Sequence, residues 1–217
     1  MADWVTISSL ATAGGTLVLA VATFSSVKSA NRSARVAERS LMAGLRPVLF
    51  PSHEDDRPER VQFGDGVVLT VPGHGAALRE VDGNVYMAIA LRNGGAGLAV
   101  IHGWQAVIDN GRRAERPDTE QFRRNQRDLY IPAGDSGFWQ AAIRDRQDPG
   151  YEPLRSLAER FRSSPDSAGR LRVDLLFGDH EGGQRTIARF GVSPWPEIEG
   201  ERAEVVRYWN IDRADPR

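Results

Sequence analysis

The sequence predicts a mainly β fold, an antiparallel β-sandwich with one short helix, carried behind an N-terminal membrane-spanning helix. Three observations predict it. Residues 4–27 contain no charged side chain. After Pro47 the apolar residues recur at every second position, the period of a strand with one buried face. Only one later stretch shows helical spacing, so helices do not alternate with strands as a parallel α/β sheet would require.

The uncharged run comes first. Its 24 residues would form a helix of about 36 Å, enough to cross a hydrocarbon core of roughly 30 Å. Eight of them are Ser or Thr, whose hydroxyls can bond back to carbonyls of their own helix. A helix buried in a soluble core seldom runs this far. A cleaved leader would carry its positive charge ahead of the apolar run, whereas here Met1-Ala2-Asp3 precedes it and Lys28 follows. The segment therefore reads as an uncleaved signal-anchor. A seam of small residues, Thr6, Ser9, Ala13, Thr16, Ala20 and Thr23, suits close helix–helix packing and a homodimer through the helix.

Residues 28–46 read as a basic juxtamembrane helix that stops at Gly44 and Arg46-Pro47. Lys28, Arg32, Arg35 and Arg39 are spaced 4, 3 and 4 and share one face, placed to touch anionic lipid or simply to set topology. The tail of residues 1–3 has no Lys or Arg. By the positive-inside rule this predicts a single-pass protein of the cell membrane, with its N-terminus outside and residues 47–217 in the cytoplasm.

Within residues 47–217, Val85, Met87, Ile89 and Leu91 alternate through 84–92, and Leu171, Val173, Leu175 and Phe177 do so through 171–177. Further strands are expected at 48–50, 67–71, 98–108, 128–131, 138–143, 185–192 and 204–211, separated by turns such as Asn93-Gly94-Gly95 and Glu181-Gly182-Gly183. The helix is marked by Leu154, Leu157, Ala158 and Phe161 and stopped by Pro165.

Composition narrows the chemistry. With no cysteine among 217 residues, disulfides, thiolate metal sites and cysteine nucleophiles are excluded. Lys28 is the only lysine beside 27 arginines, a bias that fits a GC-rich genome. Residues 1–46 hold five basic and two acidic side chains, which leaves the other 171 residues at −4 of the chain's net −1. An acidic domain does not suit nucleic acid, which needs a basic face.

Several groups of residues invite a chemical reading. Gly134-Asp135-Ser136-Gly137 copies the surroundings of the trypsin-like serine nucleophile, but Phe138 replaces the second glycine and no histidine lies in the matching context; Ser136 is expected in a turn. Asp179-His180-Glu181 falls between two strands as a loop tip, short of a metal-ligand set. His53-Glu54-Asp55-Asp56 reads as an acidic loop. Arg112, Arg113, Arg116, Arg123, Arg124 and Arg127, mixed with Glu115, Asp118, Glu120 and Asp128, read as a long solvated connection. Trp104, Trp139, Trp195 and Trp209 lie in or beside strands, as core or rim residues.

The segment Leu91-Arg92-Asn93-Gly94-Gly95-Ala96-Gly97-Leu98-Ala99-Val100, the later Ile131-Pro132-Ala133-Gly134 and the ending Arg207-Tyr208-Trp209-Asn210-Ile211-Asp212-Arg213 resemble uncharacterised bacterial proteins. Those have one N-terminal membrane helix and an immunoglobulin-like β-sandwich. The resemblance implies that fold and carries no activity, cofactor or site residue with it. The functional expectation is a non-enzymatic, membrane-anchored interaction module for an unknown protein partner. The alternatives are a membrane-bound hydrolase using Ser136 or the Asp179–His180 loop, and an exported cell-surface binding domain.

Overall fold

The computed structural model describes residues 3–109, 111, 115–195 and 200–213. The chain forms two compact units that divide after Gly44.

The first unit is α1, Trp4–Gly44, one continuous helix of 41 residues without a break at the expected boundary between 27 and 28. It is the one described helix long and apolar enough to cross a membrane. Trp4, Leu10, Leu17, Val18, Leu19, Val21 and Phe24 are all exposed along it. Its hydroxyls turn inward onto the helix: Thr12 Oγ1 donates to the Ser8 carbonyl, Thr16 Oγ1 to Thr12 and Thr23 Oγ1 to Leu19. Each threonine thereby presents its methyl outward instead of an unsatisfied O–H.

The second unit is antiparallel β. Its strands are β1 (Leu49–Pro51), β2 (Glu59–Gln62), β3 (Val68–Val71), β4 (Gly75–Val81), β5 (Asn84–Asn93), β6 (Ala99–Ile108), β7 (Arg123–Ile131), β8 (Ser136–Ile143), β9 (Leu171–Gly178), β10 (Thr186–Pro194) and β11 (Glu201–Asn210). Nine form a curled sheet in the order β1-β5-β4-β11-β10-β9-β6-β7, with β8 also paired to β5. β1 and β4 share one edge of β5, at Leu91–Asn93 and Asn84–Ile89 respectively, and β8 runs along the other edge from Val85 to Arg92. The core lies inside the curl, where Val85, Met87, Ile89 and Leu91 of β5 meet Leu171, Val173, Leu175 and Phe177 of β9 and Ala188, Phe190 and Val192 of β10. β2 and β3 form a separate two-stranded sheet. Their Val61, Leu69 and Val71, with Phe63, cover Tyr86, Ala88 and Ala90 on the other face of β5. This explains why β5 is apolar on both faces.

The helix α2, Tyr151–Ser163, buries Tyr151, Leu154, Leu157, Ala158 and Phe161 in the main core. It is followed by a 3-10 turn that begins at Pro165, since proline cannot donate the next helical hydrogen bond. Two strands lie outside the expected set, β2 and β4. The expected connection at 112–127 is also partly strand: β7 begins at Arg123, and Arg124 pairs with Gly103 of β6. Arg112 and Arg113 lie outside the described residues.

Candidate functional site

The two reactive-looking segments do not come together as a catalytic set. Ser136 is not in a turn: it opens β8, opposite Arg92 of β5. Its hydroxyl donates to Asp56 Oδ2 at 3.1 Å, and Asp56 also accepts from the His53 backbone N–H and lies 3.5 Å from Arg92 Nη1. The His53 amide, the Ser136 hydroxyl and the Arg92 charge hold the Asp56 carboxyl below its ordinary range, which makes it a weak base. The His53 ring faces Asp55 instead. A serine nucleophile needs an imidazole on its hydroxyl, oriented in turn by a carboxylate; here the carboxylate occupies the imidazole's place. The Asp179 carboxylate, buried at the end of β9, accepts the Glu181 and Gly183 amides and the Gln184 side chain. It ties the loop rather than standing at an exposed tip. Among the described residues no cluster of His, Asp or Glu could hold a metal ion.

Lys28, Arg32, Arg35 and Arg39 lie exposed along α1. Arg123, Arg124 and Arg127 stand on β7, where with Phe63, Trp104, Asn125, Leu129 and Gln140 they line a cleft of about 200 Å³ between β7 and β8. Arg123 is paired with Asp148 and stacked 5.2 Å from the Trp104 ring centroid. Arg127 reaches across to Gln140 Oε1 at 3.1 Å and over Phe138. Among the described ladders β7 pairs only with β6 and β8 only with β5, so each turns an unpaired strand edge toward this cleft.

The Asn-x-Gly-x-Gly motif has a positional role. Asn93 is fully buried at the end of β5, and its Nδ2 donates to the Gly97 and Ile131 carbonyls at 2.7 and 3.0 Å. Its Oδ1 accepts the Val48 and Gly95 amides at 3.1 and 3.0 Å. All four hydrogen-bonding positions of the amide are filled. A methyl group on Gly95 would overlap the Arg46 carbonyl, and one on Gly97 the Leu45 carbonyl, so these glycines let residues 45–48 lie directly against the loop. The C-terminal motif grips the same residues: Arg46 Nη2 donates to Asn210 Oδ1 and to Thr186 Oγ1, and Tyr208 Oη to the Leu49 carbonyl at 2.6 Å. Burial pushes the Tyr208 phenol up to about 12. Two of the segments behind the resemblance thus grip the first residues of the β unit, and the third holds Asn93 through the Ile131 carbonyl and the Gly134 amide.

One cavity carries a group that sequence reasoning missed. Arg79, Glu80, Ala158, Glu159, Phe161, Arg162, Gly200 and Glu201 line a pocket of about 310 Å³ between β4, α2 and the start of β11, at the lower end of ligand-site volumes. The Glu201 side chain is 4% exposed. Oε1 accepts from Arg79 Nη1, while Oε2 is buried with no hydrogen-bond partner. Burial raises the Glu201 carboxyl above its ordinary range, opposed by Arg79 and the Leu78 backbone N–H. Glu201 lies outside the strand expected at 204–211; the strand in fact begins three residues earlier, and alternation with Ala203 and Val205, both turned to the core, places it inward.

No family model matches the sequence, no curated protein matches it, and no solved structure matches it.

Proposed function

We propose that the chain is a non-enzymatic, membrane-anchored binding module that recruits a protein partner to the inner face of a bacterial membrane. The observation that carries the reading is α1, whose apolar side chains stand exposed over a length that a bilayer would cover. Behind it is a β unit with a core of its own. The curled sheet is read as an immunoglobulin-like sandwich, with β8-β5-β4 and β1 facing β11-β10-β9-β6-β7 across that core. The free edges of β7 and β8 support recruitment by strand addition, in which backbone hydrogen bonds supply affinity. The engagement of Ser136 by Asp56 and of Asp179 by its own loop supports the non-enzymatic reading.

Lys28, Arg32, Arg35 and Arg39 would then lie at the cytoplasmic lipid surface. The small residues of α1 leave room for a second copy of the helix. Fractionation tests the anchor. Full-length protein is expected to resist high salt and alkaline carbonate and to yield only to detergent, because salt weakens surface electrostatics and not apolar burial. Recovery in the salt wash would refute it. A cytoplasm-only reporter fused after Arg217 is expected to be active and an external-only reporter silent; the reverse result would refute the orientation.

A further inference from the structure

A strand edge without a neighbour is a template for another chain, and folds ordinarily blunt it with charge, proline or a bulge. The two edges at the cleft between β7 and β8 differ in this respect. β7 carries Arg123, Arg124, Arg127 and Asp128, and a register shift interrupts its ladder with β6. β8 has none of these protections. Ser136-Gly137-Phe138-Trp139-Gln140-Ala141-Ala142-Ile143 contains no charge and no proline, and it pairs with β5 in unbroken register from end to end. A strand this regular turns every second residue's amide and carbonyl away from β5, toward a further strand.

The surroundings of that edge select what is added. At about 200 Å³ the cleft is smaller than ordinary small-molecule sites, and it suits one or two side chains of a segment lying along β8. Trp104, Leu129 and Ala141, all of the main core, give it an apolar side. Its lining contains three guanidiniums and no carboxylate. Arg123 is neutralised by Asp148. Arg127 is engaged by neutral groups, the Gln140 amide oxygen and the Phe138 ring, and Arg124 is exposed, with no ion pair among the described residues. Residues 47–217 carry a net −4, so an acidic segment is repelled over most of the unit and attracted here, which favours one docking position.

We propose that the β8 edge binds an extended acidic segment of the recruited protein, added as a strand, with carboxylates against Arg124 and Arg127 and an apolar side chain on Trp104 and Leu129. The inference rests on the recruitment reading above and specifies the chemistry of the segment recruited.

The test is an NMR titration of the full-length chain, labelled with ¹⁵N and ²H, in uncharged detergent micelles. The probe is a blocked heptapeptide of alternating glutamate and valine, with the lysine–valine heptapeptide as its counterpart. The acidic peptide is expected to move the β8 amides saturably, with a Kd of about 0.1–1 mM, and to slow hydrogen exchange at the alternate β8 amides that β5 leaves free. The lysine peptide is expected to bind at least tenfold more weakly, and Arg124→Gln combined with Arg127→Gln to abolish that preference. N-methylating every second peptide residue removes the donors along one peptide edge. Of the two such peptides, one is expected to lose binding and the other to keep it, a readout that needs no protein variant. No saturable movement of β8, or equal binding by the two methylated peptides, overturns strand addition. Equal binding of the lysine peptide overturns the acidic segment and leaves strand addition standing. Protection of β8 that grows with protein concentration and without peptide identifies a second copy as the occupant and overturns the proposal. Failure of the membrane anchor is read separately, as recovery in the salt wash, and leaves the peptide result unchanged.

Discussion

Replacing Asn93 with alanine tests the interpretation of the most conspicuous motif in the sequence. The side chain is fully buried and makes four hydrogen bonds, all to backbone groups: carbonyls of Gly97 and Ile131, amides of Val48 and Gly95. Alanine removes all four at once, strands four backbone groups and leaves a small void. A buried polar group deprived of its partner costs about 1–3 kcal/mol. Gly94 keeps its own bond to the Val48 carbonyl, and the Asn93 main chain keeps its bonds to Gly134 and Asp135, so the loop retains a scaffold and can relax toward water. The net loss is therefore placed at about 3–5 kcal/mol, below the sum of four full penalties. Against a total stability of roughly 5–15 kcal/mol, that is a large share. The assay is urea unfolding of a chain beginning at Leu45, followed by far-ultraviolet circular dichroism. With m of about 2 kcal/mol/M, the midpoint should fall by about 1.5–2.5 M. Asn93→Asp is expected to fare no better, since it keeps the acceptors but sets a carboxylate against two carbonyl oxygens. A loss below about 1 kcal/mol for Asn93→Ala would refute the clamp.

Three further outcomes are expected. Gly97→Ala should destabilise through displacement of Leu45, and far more than Gly64→Ala, where an added methyl meets open space; equal midpoints in urea would refute this. Ser136→Ala should cost only about 0.5–1.5 kcal/mol, one hydrogen bond, and a serine-directed covalent probe should label neither protein; labelling abolished by the substitution would make Ser136 a nucleophile. Glu201 binds its proton more tightly folded than unfolded, from an ordinary value near 4.5, so its contribution to stability is full below that pH and is lost as pH rises through the folded value. Glu201→Gln should flatten that part of the stability–pH curve, and an unchanged curve would show that the group titrates as if exposed.

The sequence was most legible where one physical demand dominates. The uncharged run reads as a long helix because 24 residues pass without a charge or a proline, and α1 continues through the basic stretch because residues 28–43 contain neither Gly nor Pro. Strands β5 and β9 were legible because both carry an unbroken apolar alternation into the core. β4 was not. Its Gly-Ala-Ala-Leu-Arg-Glu-Val has no alternation to count, and small side chains suffice where it lies between β5 and β11. The signal that could have found it was its turn: Asp82-Gly83, both at positive φ, joins β4 to β5 as a two-residue hairpin. β2 was hidden by its charges, since only Val61 of Glu59-Arg60-Val61-Gln62 is buried.

The arginine stretch and Glu201 failed to read for a different reason. Charge in sequence is taken as solvent exposure, and that inference breaks wherever opposite charges meet across a sheet. Arg189 and Asp174, direct cross-strand neighbours on β10 and β9, are buried together through two hydrogen bonds of 2.7 and 2.9 Å. Arg189 also stacks 4.7 Å from the Trp209 ring centroid and donates to the Glu115 carbonyl. No local pattern announces such a pair, because its members are 15 residues apart and are matched only by register. Truncating either one would leave the other ion buried and unpaired, which costs more than the pair is worth. The same logic covers the other buried acids: Asp174 has both oxygens bonded by Arg189, Asp179 is held by the amides of its own loop, and Glu201 meets Arg79 across from β4.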